Sequence, residues 1–329
     1  MATALITGGC GFIGRHLAAE LLARGYHVKI FDIAEPDGFP EAVDVQRGSI
    51  LDRSALEKGM TGVQRVYHLA GIAQLWAPRR ADFSLVNERG TEQVLLAAMA
   101  QGVGRVIHCS TESVLLPKSP VRGEPIDESQ TPAREDMPGP YTRSKYVAEE
   151  LALTAAGNGL DVVVVNPTVP IGPGDRNMTP PAAMLAMFMA GRSPFFLDCF
   201  LNLVDVRDVA TGMALAAEKG RSGERYILGG ENIALRELIA FLERTFGRPM
   251  PRYAVPASVA FAAAAAMEWT ADWITRRRPA ATKEGVRLAM RSAPLDSQKA
   301  RHQLGYSPRP VEKSLTEAVR WLQASAALS

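Results

Sequence analysis

Thr7-Gly8-Gly9-Cys10-Gly11-Phe12-Ile13-Gly14 is the stretch on which the reading of this chain turns. Its three spaced glycines, 8, 11 and 14, stand between a β-type run, Ala2–Thr7, and a helix-type run, Phe12–Arg24. Gly25 follows where a left-handed residue closes a helix. Glycines in such a turn let the backbone approach a diphosphate, whose charge the unpaired N–H groups of the helix N-terminus favour. The next run, His27–Phe31, leads into Asp32. A carboxylate there accepts hydrogen bonds from the adenosine ribose and repels a 2′-phosphate. Ile33-Ala34-Glu35 supplies no cation, so NAD is the expected cofactor, with NADP left open through Arg15 beyond the third glycine.

Working outward, Val43–Arg47, Arg65–His68, Val106–Cys109 and Val162–Val165 read as further strands. Asp82–Gln101 and Tyr141–Ala156 read as helices between them. This alternation predicts an α/β fold, a doubly wound parallel sheet of the Rossmann type, with a smaller, mostly helical substrate lobe. After Pro167 the pattern breaks into dense Pro and Gly, then an apolar helical run, Ala182–Ala190, a strand, Arg225–Leu228, and a helix, Leu235–Phe246. The expected division is residues 1–168 with 202–230 for the nucleotide domain, and 169–201 with 231–329 for the substrate lobe.

Composition sets outer limits. The chain has 329 residues, 47% of them apolar and 22% charged, as in an ordinary globular protein long enough for two lobes. A net charge of +2 gives no reason to invoke nucleic acid. From Thr270 onward eleven Lys/Arg face five Asp/Glu, a basic tail that reads either as solvated surface or as an anion- or membrane-facing one. Cys10, Cys109 and Cys199 show no CxxC or Cys/His spacing, which argues against a disulfide framework or a metal site. The chain enters a strand at once and has no uncharged apolar run of the ~20 residues a membrane span needs, so a cytoplasmic location is expected.

Tyr141-Thr142-Arg143-Ser144-Lys145 puts a phenol and an ammonium four residues apart at the start of a helix, hence on one face. A phenol with an ordinary pKa of ~10 is a poor proton carrier near neutrality, and a neighbouring cation favours its phenolate. Met137-Pro138-Gly139-Pro140 breaks the chain just ahead, as a helix start inside a nucleotide fold requires.

Together, Thr7–Gly14, His68-Leu69-Ala70-Gly71, Val86-Asn87-Glu88-Arg89-Gly90-Thr91, Ser110-Thr111-Glu112-Ser113-Val114 and Tyr141/Lys145 resemble the extended short-chain dehydrogenase/reductases. That group includes NAD-dependent epimerase/dehydratases, 3β-hydroxysteroid dehydrogenases and dihydroflavonol reductases. Asn166–Asp175 and Gly223–Asn232 look like the branch labelled hopanoid-associated sugar epimerases. The resemblance implies that Thr111 joins Tyr141 and Lys145 as the third catalytic residue, with Ser110 as the alternative one position earlier. It implies cofactor contacts from Gly8, Gly11, Phe12, Ile13, Gly14 and Asp32, from Ile50, Leu69, Ala70 and Gly71, and from Tyr141, Lys145, Pro167 and Thr168. Glu112 stands where the related sugar 4,6-dehydratases carry an acid, but Ser113 replaces the expected neighbouring base.

Two departures weigh against a nucleotide sugar. Related epimerases have Arg-x-x-Asn where this chain has Asn166-Pro167-Thr168-Val169, and Arg-Asp-Phe where it reads Leu201-Asn202-Leu203. A buried pyrophosphate calls for fixed cations; the expected ones are missing, with substitution by Arg176 or Arg236 left open. Instead Met178, Met184, Leu185, Met187, Phe188, Met189, Phe195 and Phe196 cluster there, as core or as the wall of an apolar ligand site. Thr111, Glu112, Met178, Met184 and Phe188 are the candidate substrate contacts. Val255–Arg278 carries Ala, Trp269, Trp273 and an Arg276-Arg277-Arg278 cluster, which suits a membrane interface or packing on the protein's own lobe.

The expected activity is reversible hydride transfer between nicotinamide and a secondary alcohol or ketone. The leading substrate is a keto group on a lipid-like molecule, such as an oxidised ceramide, a 3-keto sphingoid or a sterol. The alternatives are a sugar 4-epimerase holding NAD tightly and a non-catalytic NAD(P) sensor. Resemblance to the family also implies a homodimer.

Overall fold

The computed structural model describes residues 2–121, 123–191 and 193–326. Strand β1 (Thr3–Thr7) is buried beyond its first residue and feeds α1 (Phe12–Ala23). Gly25, at φ +80°, ends α1 and returns the chain into β2 (His27–Asp32). There follow β3 (Val43–Arg47), α2 (Arg53–Met60), β4 (Arg65–His68), α3 (Ala81–Phe83), α4 (Gly90–Ala100), β5 (Arg105–Cys109), α5 (Pro140–Gly157) and β6 (Val162–Pro167). Six buried residues in a row make β6 a strand covered on both faces, as parallel sheets demand.

Beyond β6 come β7 (Val169–Ile171), α6 (Pro180–Met189), β8 (Phe195–Phe196), β9 (Phe200–Asp205), α7 (Val206–Lys219), β10 (Arg225–Leu228) and β11 (Glu231–Ala234). The chain finishes with α8 (Leu235–Phe246), β12 (Tyr253–Ala254), α9 (Ala257–Thr270), α10 (Lys283–Met290), α11 (Gln298–Leu304) and α12 (Val311–Ala326). The main sheet has seven parallel strands in the order β10-β6-β5-β4-β1-β2-β3. Its order reverses between β1 and β4, the crevice where doubly wound sheets bind ligands outside their strand ends. Leu17 and Leu21 of α1 and Met213 of α7 fill one face against Ile107 and Val165. Leu56 of α2, Val94 of α4 and Ala152 of α5 fill the other against Val106 and Val164.

A second sheet, β11-β9-β7, carries a separate core in which Leu185, Phe188, Leu238, Leu242, Leu315 and Val319 meet. Residues 202–205, read from sequence with the nucleotide domain, pair here in β9 with both β7 and β11. Only from Val206, in α7, does the chain rejoin the main sheet.

One helix differs from its sequence pattern. The run expected as Asp82–Gln101 is α3, a π turn at Ser84–Arg89, then α4. The extra residue in that turn swings Asn87 inward, as π turns at functional sites do. There Asn87 Oδ1 accepts Ile72 N at 2.7 Å, and Nδ2 donates to Ser144 Oγ at 2.8 Å. Asn87 thereby ties the segment after β4 to α5.

Candidate active site

At the turn between β1 and α1, Gly8 takes φ +72°, and a Cβ there would meet Ala70 N at 2.6 Å. A Cβ on Gly14 would meet Gly8 O at 2.5 Å and Gly9 Cα at 2.7 Å, so the turn is closed against backbone. Gly11 is different: its Cβ would approach only Gly8 O, at 3.2 Å. As the N-cap of α1 it offers no side-chain partner to the first-turn N–H groups. Asp32 pins this turn to the end of β2, its two oxygens accepting Cys10 N and Ala34 N at 2.9 Å each.

Phe12, Ile13, Leu69, Ala70 and Gly71 complete the rim at the ends of β1 and β4. Ile50 is buried beneath it against Gly90. Pro167 and Thr168 end β6, and the Thr168 and Ser110 hydroxyls are buried without a partner among the described residues. A buried hydroxyl left unpaired is costly, and both lie at the strand ends. An uncapped helix N-terminus, an anchored carboxylate and unpaired hydroxyls at one sheet edge fit a dinucleotide.

Helix α5 opens with Pro140 and presents Tyr141 and Lys145 one turn apart, both facing the end of β5. Lys145 Nζ donates to the Cys109 carbonyl at 2.6 Å, and burial lowers its pKa. Thr111 leaves β5 in extended conformation and donates its hydroxyl to Glu112 Oε2 at 2.8 Å. Burial raises Glu112 to about 7, against the opposing hydrogen bonds from Thr111 and Ser113. The Tyr141 phenol is pushed well above its ordinary range, first by burial and then by the charge of Glu112, while the Thr111 hydroxyl pulls the other way. Thr111, Glu112 and Tyr141 thus converge on one point. The ammonium expected to draw Tyr141 down is instead held by a backbone carbonyl.

The Tyr141 ring meets Phe83 edge-on, with centroids 6.4 Å apart, and shares an apolar cluster with Ala77, Ile72 and Leu75. The sequence reading did not single out Ile72, Leu75 and Ala77, because they lie in an irregular segment with no periodicity. Met178 stands at φ +47°, its carbonyl accepting Arg278 at 2.6 Å. Phe188 is 3% exposed and packs with Leu185 and Met189 in the second lobe's core. Met184 packs partly buried on the same core. Arg176 pairs with Asp37 at 2.5 Å and Arg236 with Asp198, both on the exposed surface.

Sequence reasoning also passed over Glu284. From α10 its carboxylate reaches the first turn of α5, where Oε1 accepts Thr142 N at 2.7 Å and Thr142 Oγ1 at 2.6 Å. Its Oε2 accepts Tyr141 N at 3.2 Å. No local motif announces a partner 142 residues away.

Over residues 4–229 the chain matches the profile of the NAD dependent epimerase/dehydratase family. The chain belongs to that family. Members and near relatives span nearly its full length. A Synechocystis sp. protein assigned as a dihydroflavonol 4-reductase is 35% identical, with 97% of this chain and 94% of the relative covered. A Stigmatella aurantiaca protein, named as the ketoreductase of a 4-hydroxy-2-methyl-3-oxo-4-farnesyl-3,4-dihydroquinoline-1-oxide, is 33% identical, with 96% and 95% covered. The crystal structure of gox2253 superposes with a TM-score of 0.84 at 32% identity, covering 99% of each chain. Family membership makes the protein an NAD-dependent enzyme of the extended short-chain dehydrogenase/reductase type. The same membership supports the fold read from the glycine turn.

Proposed function

We propose that the protein reduces a ketone, reversibly, on a lipid-like substrate, with Tyr141, Thr111 and Lys145 as its catalytic residues. When bound, NAD supplies or accepts the hydride. Tyr141 gives its phenolic proton to the developing alkoxide, and Thr111 holds the same oxygen through a second hydrogen bond. Lys145, fixed on the Cys109 carbonyl, keeps a positive charge beneath the reacting end of the cleft. Residues 169–201 with 231–329, together with the rest of β9, serve as the substrate lobe.

The pairing of Arg176 and Arg236 with surface carboxylates carries the substrate class. Those two cations were the candidates from sequence for a sugar nucleotide's pyrophosphate, and each is paired with a carboxylate at the exposed surface. Beside Tyr141 the partly buried Ile72 and Leu75 offer apolar surface instead. Reductase and ketoreductase names among the full-length relatives agree with this.

Access to such a substrate is assigned to Val255–Arg278. Ala264, Glu268 and Ala271 face the protein, while Val259, Met267, Trp269, Trp273 and Ile274 are exposed, Trp273 by 72%. Among the described residues no helix is long and apolar enough to cross a membrane. An exposed apolar and Trp face next to Arg276-Arg277-Arg278 suits a helix resting in an anionic interface at the inner face of a membrane. Replacing the three arginines with Glu is expected to weaken recruitment to anionic liposomes by about 1 kcal/mol or more per charge lost. Mass spectrometry of the copurified ligand tests the substrate class directly. Turnover of a uridine- or thymidine-linked sugar, with no liposome recruitment, would restore the epimerase reading.

A further inference from the structure

The N-terminus of α5 is an unusual helix start. Its N-cap, Gly139, has no side chain, and its first residue, Pro140, has no N–H. That leaves the N–H groups of Tyr141 and Thr142 to be satisfied, and Glu284 takes both. Gly139 is extended, at φ −168°, so any residue could adopt its backbone. What requires glycine there is room, because an added Cβ would collide with the Glu284 carboxylate. Glu284 is 3% exposed, a carboxylate almost wholly withdrawn from water. Burying one is expensive unless it is fully hydrogen-bonded, and this one is spent on the helix that carries Tyr141.

We infer that Glu284 is a positioning residue for Tyr141, an anion supplied by α10 that fixes the first turn of α5 and sets the proton affinity of the phenol. The inference rests on Tyr141 being the proton carrier. Charge and geometry act together here. Two N–H bonds and one hydroxyl bond hold the turn that aims the ring, while the negative charge opposes formation of the phenolate. The Glu284 charge is among the influences that raise Tyr141, after burial and Glu112. Burial raises the Glu284 carboxyl, against the hydrogen bonds from Thr142 and Tyr141 and the charge of Arg80, ahead of α3. Glu112 and Cys109 face Tyr141 from the end of β5, and Lys145 on α5 is held by the Cys109 carbonyl. Arg80 also approaches Glu268 at 3.6 Å and Asp272 at 3.4 Å. Lys283, one residue before Glu284, donates its N–H to Glu268 at 2.9 Å. Glu268 of α9 thus holds the backbone next to Glu284 at the start of α10.

The test reads the Tyr141 phenol itself. Near-ultraviolet tyrosinate absorbance is titrated in the full chain with NAD added, and the Tyr141→Phe titration is subtracted. Glu284→Gln, which keeps the shape and removes the charge, should lower the Tyr141 midpoint by about half a pH unit or more. Gly139→Ala, which displaces the carboxylate without altering it, should move the midpoint in the same direction. Glu284→Asp retains the charge on a shorter arm, so it should return the midpoint toward the wild-type value. Should Glu284→Gln fail to fold, the other two variants read the same quantity. An unchanged or raised midpoint in Glu284→Gln and Gly139→Ala overturns the inference and leaves Tyr141 in its role. Wild-type-like turnover of a keto substrate in Tyr141→Phe would bring down the Tyr141 reading itself, separately from the inference.

Discussion

Helices α1 and α5 begin in the same way and end up with opposite equipment. Each has a glycine N-cap with no capping side chain, and each starts at the ends of the main sheet's strands. In α1 no side chain takes the first-turn N–H groups, beside a turn too tight for any Cβ at Gly8 or Gly14. In α5 the protein brings its own anion, Glu284, from a helix far along the chain. A helix N-terminus favours negative charge in either case. The first is suited to receive that charge from a cofactor; the second is already filled, so its residues can be held still. Fixed geometry matters most where a proton moves, since small misplacements cost large factors in rate.

Breaking the fixed end should have the largest effect. Tyr141→Phe removes only the phenolic oxygen and leaves the Phe83 contact in place. Turnover of a keto substrate should fall by about 10³-fold, within the usual range for a general acid. NAD affinity by calorimetry should stay within a few-fold. Wild-type-like turnover in this variant would remove Tyr141 from the chemistry.

Breaking the open end comes next. In Gly14→Ala the new Cβ meets backbone at Gly8 and Gly9, which cannot swing aside as a flexible side chain would. Overpacking of this kind costs roughly 1–3 kcal/mol, and the displaced turn should weaken NAD binding by a comparable amount. Calorimetry and thermal melting separate the two losses. Undiminished NAD affinity would mean that the turn does not contact the cofactor.

Between the two ends lies Glu112, whose effect should appear as a pH dependence. A hydroxyl has one proton to donate, and with Glu112 ionised Thr111 gives that proton to its carboxylate. Below about 7 Glu112 is protonated and can donate to Thr111, which frees the Thr111 proton for the reacting oxygen. The rate of ketone reduction should therefore decline as pH rises through about 7. Glu112→Gln carries a permanent N–H donor, so that limb should vanish and the difference should reach about tenfold one unit above the transition. An unaltered profile would return Glu112 to a packing role.

The two helix starts also show what a sequence can disclose. The turn before α1 was legible because strand, glycines, helix and Asp32 are contiguous, and local spacing encodes the geometry. Tyr141 and Lys145 were legible for the same reason. Glu284 was not, since tertiary folding alone brings it to α5, and nothing around Lys283–Met290 differs from an ordinary amphipathic helix. The apolar setting of Tyr141 was hidden likewise: Ile72, Leu75 and Ala77 lie in an irregular segment that Asn87 anchors through a π turn. At Phe188 the spacing left core and ligand wall both open. Helical spacing of Met and Phe signals burial, and the lobe's own core used that burial.

The smallest effect should come from the carboxylate beside the open helix. Asp32 differs from Glu284 in that it holds loop N–H groups at Cys10 and Ala34, and it remains only partly buried. It therefore has capacity left for the ribose hydroxyls of NAD, and its charge opposes a 2′-phosphate. The cations that could accept such a phosphate are engaged. Arg15 donates to the Cys10 and Asp37 carbonyls over the Phe39 ring, and Arg47 pairs with Glu35. Wild type should bind NAD more tightly than NADP by calorimetry. Asp32→Ala should narrow that gap by about tenfold, chiefly by losing NAD affinity, as expected for hydrogen bonds to a charged group. Tighter NADP binding by the wild type would show that Arg15 or Arg47 leaves its partner to meet the phosphate. The open end of the comparison would then be set by those arginines and not by Asp32.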